Sequence, residues 1–400
     1  MNNRFPTKGV LDASHKGAWE QVGGIPLVAR NLYHLIELNI KNIIILMPKG
    51  KRIDHNLDKW RGDAKVTYIY LEKDPLEYLS GINEDFIYLN ASYLFDKRII
   101  EKIISSVPTT IFLGDITLKE VKSIPIGLFN EEGIRAWREK GLHALLDKSN
   151  IIYLQDIDPF SMEMRGKIPP YMLYVKDKED AIRATWTIIK NMQKKVMDLP
   201  AEYIDPFFEN HLTYLLCRTR ITPNMVTLFS LFVAIIIAFF FYNGHFVLGA
   251  FCTYIVEVLD GVDGKLARTR LQFTRFGEYE CLVDYFYENL WYIAIGMGLK
   301  RTYHYDSAIL FAGIMVVSDT IDNILYTLCN KWTGKNLDLL WPFNMAFRKI
   351  AGRRNIYCFM FMIGFLSGYY LQTFMLTSIW ALITIVVHAI TLGYYIRKSE

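Results

Sequence analysis

The chain has 400 residues, a formal net charge of +4 and 52% apolar residues. That length allows two or three domains, and no Lys/Arg tract is dense enough to suggest a nucleic-acid partner. The apolar residues are unevenly placed: the first 220 residues are of mixed character, and long apolar runs follow, such as MVTLFSLFVAIIIAFFFY and FMFMIGFLSGYYL.

The N-terminal stretch MNNRFPTKGVLDASHKG lacks an apolar core, so no cleavable signal peptide is expected and the front half is predicted to be cytosolic. Short β-branched runs at Lys41–Met47, Val66–Leu71, Asp85–Leu89, Thr109–Leu113 and Ile151–Leu154 read as buried strands. Helical periodicity at Leu27–Leu38 and Lys97–Ser105 lies between them, and Asp180–Val196 reads as a long closing helix. This alternation predicts an α/β domain with helices on the faces of its sheet. The expected division is a domain over 1–195, a juxtamembrane segment over 196–222 punctuated by Pro200 and Pro206, and a membrane domain over 223–400.

Six spans are predicted in that last part, at about 225–242, 246–262, 279–299, 307–328, 356–374 and 376–396. Arg218/Arg220, Lys265/Arg268/Arg270/Arg275, Lys331 to Arg354 and Arg397/Lys398 then fall on one side, which predicts cytosolic termini. The five cysteines show no paired spacing and read as small buried apolar side chains. His388 reads as a packed or hydrogen-bonded histidine, and Asp319 and Asp322 as span-end or cavity-facing residues.

DGVDGKLAR (Asp260–Arg268) stands where the second span meets a basic loop. Charge beside lipid is costly, so it marks a functional position. On a helix Asp260 and Asp263 share a face and can share a divalent ion. Gly264 and Ala267 leave the backbone open to close approach.

These residues resemble the signature of the CDP-alcohol phosphotransferases, Asp-x2-Asp-Gly-x2-Ala-Arg-x8-Gly-x3-Asp-x3-Asp. Asp260, Asp263, Gly264, Ala267, Arg268 and Gly277 match it, and TPNMVT (Thr222–Thr227) resembles the family's entry to its first membrane helix. The resemblance implies a six-span enzyme in which carboxylates hold Mg2+ or Mn2+ against a CDP-alcohol. It places Gly264, Ala267, Arg268 and Gly277 near the nucleotide diphosphate. The second half departs, with Cys281 and Tyr285 where the family has Asp. Glu280, Asp284 and Glu288 form an acidic stripe displaced by one residue. Two readings stay open: Glu280 and Asp284 join Asp260 and Asp263 as metal ligands with Asp284 as general base, or the metal site is incomplete. Arg353 and Arg354 are candidates for an acceptor phosphate.

The front half resembles sugar nucleotidyltransferases at Gln21–Met47, Glu84–Ile104 and Val175–Ala184. Its catalytic positions differ. KGVLDASHKGAW replaces the Gly-rich phosphate loop, Asn90, Ala91 and Ser92 follow the strand that ends in a metal-binding Asp, and Lys176 stands for a second one. Asp156 and Asp158 read as a solvated strand end. The expected fold is an N-terminal Rossmann-like, nucleotidyltransferase-type α/β domain, catalytically silent, and a C-terminal all-α domain of six transmembrane helices. The implied function is transfer of a phospho-alcohol group from a CDP-alcohol to an alcohol or lipid acceptor in the bilayer, by a multi-pass protein of the cell membrane that can homodimerise. The rival reading is a membrane scaffold or nucleotide-binding regulator with decayed sites.

Overall fold

The computed structural model describes residues 6–50, 55–72, 75–118, 120–273 and 280–399. The chain separates into two compact units, Met1–Phe160 with Lys167–Asn191, and Ser161–Gly166 with Met192–Glu400.

The first unit is built on a seven-stranded sheet. Its strands are β1 (Lys8–Asp12), β2 (Asn42–Pro48), β3 (Lys65–Leu71), β4 (Phe86–Asn90), β5 (Thr110–Gly114), β6 (Ile126–Phe129) and β7 (Asn150–Tyr153), in the order β7-β5-β6-β4-β1-β2-β3. Pairing is parallel except at β6, which runs antiparallel to both neighbours. Strands β4, β5 and β6 are buried at every position, as expected where both faces of a sheet are covered. Helices α1 (Leu27–Glu37), α2 (Lys97–Ile104), α3 (Glu131–Lys148, interrupted at Gly141) and α4 (Lys178–Asn191) belong to this unit. The five expected strands and the helices α1 and α2 are present within a residue or two. Strands β1 and β6 and helix α3 were not expected; KGVLD and IGLF each carry a glycine that breaks up the apolar run. The closing helix ends at Asn191, five residues before the predicted Val196.

The second unit is helical. Helix α5 (Asp205–Leu216) precedes α6 (Pro223–Tyr242), α7 (Phe246–Arg270), α8 (Glu280–Tyr303), α9 (Ser307–Thr333), α10 (Arg354–Leu366) and α11 (Tyr370–Ser399). Among the described residues α6, α9 and α11 are long and apolar enough to cross a membrane, and α10 is a shorter apolar helix. Helices α7 and α8 fall outside that group because their sequences carry Glu257, Asp260, Asp263 and Lys265, and Glu280, Asp284 and Glu288. Their inner faces nevertheless join the same aromatic core as α6, through Phe241, Phe246, Tyr287 and Trp291. Large apolar side chains such as Leu228, Phe232, Leu310, Ile363 and Ile390 stay exposed, the pattern of a membrane-associated helical domain. The last helix break lies at Ser367–Tyr369, with Gly368 at φ 80°, several residues before the expected boundary between 374 and 376. Glycine is the residue that takes this left-handed turn without strain.

Small residues set the helix spacing. A Cβ on Gly298 would lie 2.0 Å from the Phe241 carbonyl oxygen and one on Gly296 2.7 Å from the Ala312 Cβ, so α8 lies close against α6 and α9. Gly298→Ala pushes α8 against backbone that cannot rotate away, at a cost of about 1–3 kcal/mol. The expected result is a lower thermal midpoint of the purified protein in detergent; an unchanged midpoint would count against this packing.

Candidate active site

DGVDGKLAR lies wholly within α7, which ends at Leu271 in a left-handed conformation, φ 52°. Asp263 is buried, and its Oδ2 accepts a hydrogen bond of 2.6 Å from Thr227 Oγ1 on α6. Thr222 caps α6 by accepting from the Met225 amide. The TPNMVT segment therefore both starts the first apolar helix and anchors the second motif carboxylate. Asp260, three residues earlier, turns to a different partner.

That partner is Arg354, the first residue of α10. Its guanidinium pairs with Asp260, donates to the Tyr287 hydroxyl, and lies 2.7 Å from Glu257, 3.1 Å from Glu288 and 3.5 Å from Asp284. Four carboxylates from α7 and α8 thus meet one cation, and all five side chains are at most 26% exposed. Glu257 is absent from the expected site, and Glu288 entered only as part of the acidic stripe. Both were in principle findable: Glu257 precedes Asp260 by three residues and Glu288 follows Asp284 by four, the spacings that share a helix face.

Two cavities flank the shared pair Asp260 and Asp284. One of 290 Å³ is lined by Gly261, Gly264, Lys265 and Arg268, and by Gln193 and Lys194 from the segment before α5. The other, of 320 Å³, is lined by Glu288, Asp319, Asp322, Arg348, Arg353 and Arg354. At Gly264 the atoms nearest to a Cβ would be those of the Arg268 guanidinium, at 3.5 Å, an ordinary contact distance beside the first cavity. Ala267 is half-buried on the same helix. In the second cavity Arg353 lies over the Tyr326 ring at 4.7 Å. Asp319 accepts from Asn289 at 2.8 Å, and Asp322 meets His388 at 2.6 Å, which gives both aspartates and the histidine defined partners. Arg348 is held by Asp198 at 3.0 Å and Asp338 at 3.4 Å.

Tyr285, at an expected Asp position, bonds Thr320 at 2.8 Å. Gly277 and the side chains of Glu280 and Cys281 lie outside the described residues. The cysteines Cys217, Cys252, Cys329 and Cys358 are free thiols. Among the described residues no cluster of three or more His, Cys, Asp or Glu is placed to hold a metal ion as it stands; the point that Asp260, Asp284, Glu257 and Glu288 face is taken by Arg354. The donor set itself suits a hard divalent cation, since every converging atom is a carboxylate oxygen.

In the first unit the segment around Gly17 is closely packed. A Cβ on Gly17 would lie 1.7 Å from the Val175 carbonyl oxygen and 3.4 Å from the Ser92 Cβ. Val175 donates to the Ser92 carbonyl at 2.8 Å, and the Asn90 side chain accepts from the Ser92 amide at 3.0 Å. Asn90, Ala91 and Ser92 are all buried. Asp156 and Asp158 cap local turns and are exposed, the solvated role expected of them.

Residues 220–390 match the CDP-alcohol phosphatidyltransferase family, and this part of the chain is a CDP-alcohol phosphatidyltransferase domain. The chain is 28% identical over 126 residues to an uncharacterized protein of Aquifex aeolicus (strain VF5), covering 30% of this chain and 64% of that protein. It is 25% identical over 197 residues to a bifunctional IPC transferase and DIPP synthase of the same organism, covering 48% of this chain and 40% of that protein. The chain thus spans less than two thirds of either relative. The inositol-1-phosphate CTP transferase from T. maritima is similar over 44% of this chain and 92% of its own, at 12% identity and a TM-score of 0.32.

Beside the first cavity, α5 packs so tightly on α7 that a Cβ on Gly261 would lie 1.9 Å from Glu209 Oε1. Glu209 pairs with Lys265 at 2.8 Å, and both are buried. Burial, and then the neighbouring Glu209 carboxylate, push the Asp205 carboxyl up to about 7. Its folded value lies above its ordinary value of 3.8. The stability linked to the protonated form is therefore complete below pH 3.8 and is lost as pH rises through about 7. Asp205→Asn should remove this loss. Thermal midpoints measured between pH 5 and pH 8 should fall less in the variant, and parallel profiles would refute the assignment.

Proposed function

We propose that the chain is a multi-pass membrane transferase that moves a phospho-alcohol group from a CDP-alcohol donor to an acceptor hydroxyl and releases CMP. The carrying observation is the pair Asp260 and Asp284, shared by two cavities of different character. The cavity with Gly264 and Arg268 suits a nucleotide diphosphate, because a planar guanidinium matches phosphate oxygens and the glycine leaves space. The cavity with Arg348 and Arg353 suits the acceptor, an alcohol or lipid, with Arg353 and Arg354 as candidate contacts to an acceptor phosphate. The relative named as an IPC transferase and DIPP synthase supports a phosphodiester product of inositol-phosphate type.

The acceptor oxygen bonds to the β-phosphorus, the bond from that phosphorus to the bridging oxygen breaks, and CMP leaves. Asp284 receives the hydroxyl proton as general base. Asp260, Asp263, Glu280 and Asp284 are the carboxylates proposed to face Mg2+ or Mn2+. Such an ion, when bound, neutralises the diphosphate and stabilises the leaving group. Thr227 keeps Asp263 oriented, and Gly277 is assigned to the diphosphate by its place in the motif. Six spans with cytosolic termini complete this reading.

The first unit is proposed to be catalytically silent, since its loop around Gly17 is packed against Val175 and Asn90 replaces the metal-binding Asp. The purified full chain, given CTP and a phospho-alcohol, should then form no CDP-alcohol. Given a CDP-alcohol and acceptor, it should release CMP, and chelation should stop release until Mg2+ or Mn2+ is restored. Asp260→Asn and Asp263→Asn should each reduce CMP release at least a hundredfold, on the order of a lost charge-stabilising group in an active site. Wild-type turnover in both variants would sink the assignment.

A further inference from the structure

Among the described residues Arg354 touches all four carboxylates. It pairs with Asp260 and Glu257 on α7 and with Asp284 and Glu288 on α8. The Tyr287 hydroxyl, on a buried side chain, accepts from the same guanidinium. A guanidinium stays charged at any pH a protein meets and cannot be neutralised by its neighbours. One guanidinium faces the oxygens of four acidic side chains, more acceptors than it can engage fully at once. Arg354 and a divalent cation therefore have the same attraction to the same oxygens of Asp260 and Asp284.

We propose that Arg354 is a tethered counter-ion which competes with the divalent cation for Asp260 and Asp284, and so sets the metal concentration at which the site loads. The inference rests on the reading of Asp260 and Asp284 as metal-facing carboxylates. In the absence of metal Arg354 keeps four acidic side chains from repelling one another inside the helix bundle. Loading requires the guanidinium to give up Asp260 and Asp284, while Glu257 and Glu288 remain as its anchors. Arg354 is then a positioning residue whose tether, through Tyr287, tunes metal affinity. The trade is physically reasonable: removing the partner of a buried carboxylate is strongly unfavourable unless another cation takes its place.

Mn2+ binding to the full-length protein in detergent, without nucleotide or acceptor, tests this directly by electron paramagnetic resonance of free Mn2+. Arg354→Gln is expected to bind Mn2+ at least tenfold more tightly than wild type and to gain more thermal stability from added Mn2+. Tyr287→Phe removes one acceptor of the guanidinium and leaves every carboxylate in place. It should tighten Mn2+ binding severalfold, and it keeps the idea testable if Arg354→Gln does not fold. Equal or weaker Mn2+ binding in both variants, or no Mn2+ binding in any of the three proteins, overturns the proposal. The tightened binding in a protein that releases no CMP would support Arg354 as the competing cation and would count against the transferase reading alone.

Discussion

The helical unit turns on the ion cluster at Arg354. Four carboxylates within an otherwise apolar bundle are tolerable only if paired, because an uncompensated charge in such surroundings is expensive. Arg354 supplies the pairing from α10, and the carboxylates come from α7 and α8. The cluster thereby fixes the rotation of three helices about their axes, and the two cavities open on either side of it. A second buried network, Asp198 with Arg348 and Asp338 with Arg348 and Arg165, ties the residues before α5 to the segment before α10. Both networks pair an arginine with carboxylates from other segments of the unit.

Much of this was legible in the sequence because it depends on residues close together in the chain. DGVDGKLAR is one helical segment, so its spacing already tells which side chains share a face. The strands β2, β4 and β5 were legible for a similar reason: fully buried strands are continuous runs of Val, Ile, Leu and Phe. The pairings that close the site were not legible. Arg354 lies 94 residues beyond Asp260, and Thr227 lies 36 before Asp263. From the sequence Arg353 and Arg354 read as candidates for an acceptor phosphate, and nothing in their spacing points to Asp260. In the fold the Arg354 guanidinium lies against four carboxylates.

The phase of α8 is the most instructive case. The motif expects carboxylates at positions 281 and 285, where Cys281 and Tyr285 stand. Sequence spacing alone leaves the choice between a shifted pair and a broken site. In the fold, Asp284 and Glu288 lie one turn apart and both face Arg354, while the Tyr285 hydroxyl is taken up by Thr320. Asp284 and Glu288 therefore pair with a cation inside the helical unit. A scaffold with a decayed site has no need to keep four carboxylates in register with one arginine, so the geometry weighs towards chemistry.

The two units also use glycine in opposite ways, and the contrast bears on which of them retains a site. In the first unit Gly17 lets the backbone come within contact of Val175, where a Cβ would lie 1.7 Å from the carbonyl oxygen. In the second, Gly264 keeps its space empty, bounded by the Arg268 guanidinium at a distance of ordinary contact. Asn90 satisfies its own loop through Ser92, whereas Asp260 and Asp284 look outward into two cavities. The helical unit therefore sets carboxylates beside open volume, whereas in the first unit the backbone around Gly17, Ser92 and Val175 is closely packed.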